Sequence, residues 1–281
     1  MLEGGGATAG GAKSIGAIIP PAVPLVDRLK NLRSICGEIL GSAPEGVASG
    51  SAGVLVAGEL DVAMIPSIEY ARHAGFSIVS DACIACDGPV RSVKLYGRVP
   101  VEDIHTLALD EGSRTSAALA RILLKERFGV WPNLRPLPLG AALDDTLADA
   151  VLVIGDRGMT AVGGVFEFVW DLGEEWSRWT GLPFVFSLWV ARPGVDLRSI
   201  DKTLAAARDA GLSRLAEIAR REAPLIGIPE ADCLSYLRDH LEFRLGRRQR
   251  QGLELFYTLA GRLGLAPPDV KLTFYQDNVK R

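Results

Sequence analysis

Histidine is the scarcest reactive group in this chain. Three occur in 281 residues, His73, His105 and His240, and none sits in a recognisable motif. A His-based catalytic triad or a His-rich metal centre is therefore not expected. Cysteine is almost as thin, at Cys36, Cys83, Cys86 and Cys233. Cys83-Ile-Ala-Cys86 has C-x2-C spacing, but no second such pair and no His pair completes a zinc site. Nor does it open a helix after a strand, as a thioredoxin motif would. These thiols are expected to be buried or incidental. No apolar run reaches the roughly 18 residues of a membrane span. Charge of either sign is not in excess: the net charge is -3, which leaves no footprint for nucleic acid or an anionic membrane. The one basic cluster, Arg244-Leu-Gly-Arg-Arg-Gln-Arg250, is interleaved with apolar positions and reads as a solvated helix face. The N-terminal stretch lacks the basic start and unbroken apolar block of a signal peptide, so a cytoplasmic protein is expected.

What is present is a regular alternation. Beyond a Gly/Ala-rich tail over residues 1–13, expected to be disordered, short apolar runs alternate with helical patterns. "SIGAII" (14–19) reads as a strand and 24–41 carries a helical period. "LDVAMIP" (60–66) is a strand stopped by Pro66, and "SIEYARHAG" then opens a helix with Ser67 as N-cap and Gly75 at its end. "SIVSDACIA" and "GPVRSVKLYGR" are extended. "IHTLALD" leads into the helix "SRTSAALARILLKERFG", whose last turn is basic and closed by Gly129. "DAVLVIGD" (149–156) is a buried strand, "GEEWSRWTG" a helix and "LPFVFSLWVAR" (182–192) a long extended run, after which the pattern is helical. The Trp cluster Trp170, Trp176, Trp179 and Trp189 reads mostly as core. This alternation predicts an α/β fold with a mostly parallel sheet. The two long extended segments frame a compact block, which predicts two lobes with a ligand cleft between them: residues 14–98 plus 185–281 as the first, 99–184 as the second.

Four polar turns end strands, where open α/β sheets bind ligands. Asp110-Glu-Gly-Ser-Arg-Thr-Ser116 holds more polar residues than a connection needs. Free N–H groups at a helix N-terminus, the hydroxyls of Ser113, Thr115 and Ser116, and the Arg114 guanidinium together form an anion site. The same residues also suit a plain capping turn, and spacing alone leaves both readings open. Ser67, Asp156 in "IGDRGM" and Ser92 in "GPVRSV" are the other candidates. A small carboxylate is the ligand such groups would hold.

The segments "GELDVAMIPSIEY", "CIACDGPVRSVKLY", "TLALDEGSRTSAALARILL", "VLVIGDRGM" and "DLGEEWSRWTGLPFVFSLWVAR" occur in order, and over residues 50–192 the chain resembles the chorismate dehydratase family of menaquinone biosynthesis. The resemblance implies a type 2 periplasmic-binding-protein fold. It implies loss of water from chorismate to give 3-[(1-carboxyvinyl)oxy]benzoate. Because aromatisation drives that step, no cofactor and no metal are implied. By the family pattern Ser92 is the catalytic or orienting hydroxyl; Ser113, Arg114, Thr115 and Ser116, with Ser67 and Asp156, are the substrate-binding group expected from the polar turns. Oligomeric state is left open.

One departure stands out. The family usually opens with Ser-Tyr-Leu-Asn-Thr-x-Pro-Leu, whose Asn faces the cleft. Here the stretch is Ile18-Ile-Pro-Pro-Ala-Val-Pro-Leu25, so the Asn, Tyr and Thr are gone. Either another donor serves, or turnover is slow, or the chain binds a chorismate-like carboxylate without converting it.

Overall fold

The computed structural model describes residues 53, 55–58, 60–138, 141, 143–159, 164–197 and 199–275. The tail 1–13, the strand at 14–19, the helix at 24–41, Cys36 and the altered stretch 18–25 lie outside these residues.

The chain folds around two sheets. β1 (Val62–Pro66) leads directly into α1 (Ser67–Arg72), and β2 (Ser77–Cys86) follows. The chain then crosses over and builds the second sheet from one unbroken stretch: β3 (Val93–Gly97), β4 (Thr106–Asp110), α2 (Arg114–Phe128), β5 (Asn133–Leu137), β6 (Ala150–Ile154), the short α3 (Asp156–Met159) and β7 (Phe168–Asp171). It returns through α4 (Leu172–Thr180) and β8 (Phe184–Ala191). Among the described residues four helices follow: α5 (Ile200–Leu212), α6 (Leu215–Ile226), α7 (Glu230–Ser235) and α8 (Arg247–Arg262). Between the last two lie a π-helical turn, Tyr236–His240, and β9 (Glu242–Arg244).

The first sheet has the order β1-β8-β2-β9 and the second β5-β4-β6-β3-β7. The expectation of a mostly parallel arrangement holds only on one side of the second sheet, where β4 is parallel to both β5 and β6. The other ladders among the described residues are antiparallel, because β8 runs back between β1 and β2 and β3 enters against β6 and β7.

Burial follows the pleat. Ala150 and Leu152 of β6 face the main core, while Val151 and Val153 face a smaller cluster with Tyr96, Ala108 and Leu137. A strand buried on both faces has no polar alternation, which is why "AVLVI" is continuously apolar. α2 forms where the sequence predicts it. Ser113 Oγ accepts from the Ser116 N–H, Ala and Leu fill the buried face, and Gly129 closes the helix at φ 72°. Trp176 and Trp189 are buried, whereas Trp179 packs edge-on against Trp176 and is 37% exposed.

Several elements differ from expectation. β5, β7 and β9 are strands that no alternation announced; β5 is an edge strand with four exposed residues, and β9 has three residues of which only Phe243 is buried. The basic run 244–250 is consequently split between β9 and α8. α1 ends at Arg72, short of Gly75, and Pro66 occupies its N-cap. Ser67 instead turns its hydroxyl to the Val185 carbonyl at 2.7 Å, tying α1 to β8. Among the described residues no helix is long and apolar enough to cross a membrane.

Candidate functional site

The register brings the polar turns to one edge of the second sheet. Ile154 of β6 pairs with Val93, the residue after Ser92, and Leu109 lies beside Leu152. Asp110, Ile154 and Asp171 therefore end their strands where β3 begins, and Ser92, Ser113–Ser116 and Asp156 gather there. The helix that follows β1 also reaches this edge. The Ile68 N–H of α1 approaches Thr115 Oγ1 of α2 at 3.4 Å, so helices from the two sheets meet N-terminus to N-terminus. Ser67, Ser92, Thr115 and Ser116 are all buried at this seam.

The hydroxyls in the 110–116 turn are partly occupied with local structure. Ser113 Oγ donates to Ser116 Oγ at 2.7 Å and caps the helix. Asp110 has a fully buried side chain that accepts from the Gly112 N–H at 2.8 Å and pairs with the Arg157 guanidinium. Arg157 also donates to the Ala141 carbonyl at 2.6 Å. Arg114 reaches across the seam to Glu69 of α1 at 3.1 Å. That carboxylate is buried and also meets Arg72 at 2.9 Å and His73 Nε2 at 3.4 Å. Burying one carboxylate among two guanidinium groups and an imidazole leaves the neighbourhood net positive. Arg114 keeps a side chain 48% exposed, with donors to spare beyond the Glu69 contact. Beside it a groove of about 310 Å³ is lined by Asp110, Glu111, Ser113, Arg114 and Arg135. Ser113 and Arg114 thus share a cavity, while Ser67, Ser92 and Asp156 do not line it. Asp156 is half-buried at the start of α3, close enough to Cys233 for its charge to act on that thiol.

The crossing segment around Ser92 is held from several sides. Asp171 caps α4 by accepting the Gly173 and Glu174 N–H groups on Oδ1 at 3.0 and 3.1 Å. The same Oδ1 takes the Val90 N–H at 2.9 Å, and Oδ2 takes the Arg91 N–H at 2.5 Å. Arg91 sits at φ 63°, a left-handed conformation costly for a side chain with a Cβ. Such strain persists where surrounding bonds over-determine it, and functional sites are where it concentrates. Gly158 of α3 lies directly beneath: a Cβ there would come within 2.5 Å of the Ser92 carbonyl oxygen. Ser92 Oγ ends 3.0 Å from Tyr236 Oη, both groups buried. Sequence reasoning singled out Ser92 and the 113–116 turn but missed Glu69, Asp171 and Tyr236. For Asp171 the signal was present, since Asp before Leu-Gly-Glu-Glu is a helix N-cap pattern. For Tyr236, far along the chain, no local signal exists.

The cysteines are free and buried at Cys83, Cys86 and Cys233, and among the described residues no group of three His, Cys, Asp or Glu gathers as a metal set. Burial pushes the Cys83 and Cys86 thiols well up, and Cys233 up to about 11. Burial likewise raises the Tyr257 phenol. These groups stay neutral in the folded protein at pH values where the unfolded chain ionises them. Stability is therefore intact below the unfolded thiol value of about 8.5, and is lost as pH rises from there toward the folded values. Urea midpoints measured at pH 7.5 and pH 10 should fall at the higher pH; an unchanged midpoint would refute the burial of these thiols.

Comparison with known proteins gives the chain a family and a fold. The profile of a family described as menaquinone biosynthesis matches residues 42–262. A chorismate dehydratase of Thermus thermophilus is 31% identical over 232 residues, covering 76% of this chain and 84% of that protein. Among solved structures, protein AF1704 of Archaeoglobus fulgidus superposes with a TM-score of 0.56 at 18% identity, covering 77% of this chain and 84% of its own. The periplasmic aliphatic sulphonate binding protein SsuA of Escherichia coli gives 0.51 at 18% identity, with 79% and 76% covered. The fold is thus that of the periplasmic binding proteins, and the chain belongs to the menaquinone-biosynthesis family.

Proposed function

We propose that the protein is a cytoplasmic chorismate dehydratase, a hydro-lyase that converts chorismate to 3-[(1-carboxyvinyl)oxy]benzoate and water. The observation that carries the reading is the family match over residues 42–262, which contains every residue gathered at the seam. We take the two sheets as the cores of two lobes, with the second lobe entered at Val93 and left at Asp171.

In the elimination, the proton at C3 leaves and its C–H electron pair forms the new C3–C4 π bond. The C4–O pair departs on oxygen, which takes up a proton and leaves as water. Hydroxide is a poor leaving group, so a donor aimed at the C4 oxygen lowers the barrier. Ser92 is assigned that role, because its hydroxyl sits at the crossing between the lobes on a backbone clamped by Asp171 and Gly158. Ser113, Arg114, Thr115, Ser116, Ser67 and Asp156 are assigned to holding and orienting the substrate. Arg114 grips a carboxylate with the guanidinium donors that Glu69 leaves available. Glu69, Asp110 and Asp171 are each engaged by cations or N–H groups and Asp156 is assigned to holding the substrate, so the enolpyruvyl carboxylate of the substrate is assigned as the proton acceptor. No step calls for a cofactor or a metal.

A second reading is favoured by the sequence at 18–25, where the usual Asn is missing: a protein that binds a small carboxylate without turning it over. One experiment separates the two. Purified protein is incubated with chorismate, product is followed by liquid chromatography and mass spectrometry, and binding is titrated on the same sample. Product at a rate proportional to enzyme is the expected result. Binding without product selects the second reading, and neither binding nor product overturns both.

A further inference from the structure

We propose that Tyr236 is a positioning residue for Ser92, an inference that rests on the assignment of Ser92 to the leaving hydroxyl. Tyr236 opens the π-helical turn that continues α7, and its Oη lies 3.0 Å from Ser92 Oγ across 144 positions of sequence. Turns of this kind are widened by one residue relative to an α-helix and recur at functional sites. The far end of the same turn grips the same crossing segment: His240 Nδ1 lies 2.8 Å from the Pro89 carbonyl. One widened turn therefore holds both ends of Pro89–Ser92. Asp171 and Gly158 fix the backbone of that segment, but neither touches the Ser92 hydroxyl. A serine hydroxyl rotates freely among three rotamers unless a partner selects one. Tyr236 supplies that partner in a buried setting, where hydrogen bonds polarise one another. At this geometry either hydroxyl can donate, and in the proposed arrangement the phenol does, leaving the serine proton to point at the substrate oxygen. The rigid ring of Tyr236, itself buried, makes the placement reproducible.

The test is Tyr236→Phe, which keeps the ring and deletes the hydroxyl. It should lower kcat about tenfold while KM changes less than threefold. Placed in a Ser92→Ala background, the same change should have no further effect on kcat, because there is no hydroxyl left to aim. A crystal structure of Tyr236→Phe should show Ser92 Oγ moved from its wild-type rotamer. Wild-type kcat in the single variant, or an equal loss in both backgrounds, overturns the proposal. A fall in kcat accompanied by a lowered unfolding temperature and a matching rise in KM also overturns it, since that pattern is loss of structure. If the wild-type protein yields no product from chorismate, the reading of its function fails separately. The Ser92 rotamer in the crystal still decides the positioning role: unmoved, the proposal falls.

Discussion

Ser92→Ala is expected to lower kcat by about 10²–10³-fold and to leave KM within a few-fold of wild type. Removing one well-placed donor from a developing oxyanion costs roughly this much in other enzymes, and the loss appears in kcat because the interaction strengthens only as the C–O bond breaks. The fold should survive. Ser92 contributes one side-chain hydrogen bond, to Tyr236, and its backbone is held independently through Asp171. Steady-state kinetics with chorismate, alongside circular dichroism of the variant, would settle it. A variant with wild-type kcat would remove Ser92 from the chemistry. A variant that loses binding but keeps kcat would make it a substrate-holding group instead.

The second large effect is on stability. Arg157→Met should destabilise the protein by about 3–5 kcal/mol, because it strands a carboxylate in the interior. Asp110 has no exposed side-chain surface and its charge is met by Arg157, itself 28% exposed. The asymmetry in burial gives a sharper form of the prediction. Asp110→Asn should cost less, since Asn still accepts the Gly112 N–H and the Arg157 guanidinium can turn to water. The double variant should then be more stable than Arg157→Met alone, because the buried charge has gone. Urea unfolding of the three variants closes a double-mutant cycle. Additive losses would mean that the pair is not coupled.

The parts of this protein that could be read from sequence are those whose causes are local. α2 carries its cap, its apolar face and its terminating glycine within the one stretch from Ser113 to Gly129, and all three are written in the chain. The apolar run of β6 announced a strand buried on both faces. The 110–116 turn and the turn at Asp156 were legible as neighbours because they follow the ends of the parallel strands β4 and β6, whereas Ser92 reaches the same edge because it precedes β3, which runs antiparallel to β6. What was illegible depends on partners distant in sequence. That Ser67 bonds to Val185 rather than capping its helix follows from β8 lying beside β1, 118 positions away. Glu69 looks like a solvated helix carboxylate until Arg114 arrives from the other sheet. Asp171 was readable as a cap but not as the clamp on Val90 and Arg91. β9 is too short to carry any period, and only its pairing to β2 makes it a strand.

The unbroken stretch from Val93 to Asp171 has a consequence for biosynthesis. Every strand of the second sheet leaves the ribosome in one piece, so that sheet can close on itself early. The first sheet cannot. Its two earliest strands among the described residues, β1 and β2, do not pair with each other, and each waits for β8, whose first residue is Phe184. Through synthesis of about a hundred intervening residues, at roughly 5–20 residues per second, two apolar strands stand without their central partner. The nascent chain thus exposes its stickiest edges first and covers them late. A chaperone that shields residues 62–86 until β8 emerges would act on the step where this fold is most open to misassembly.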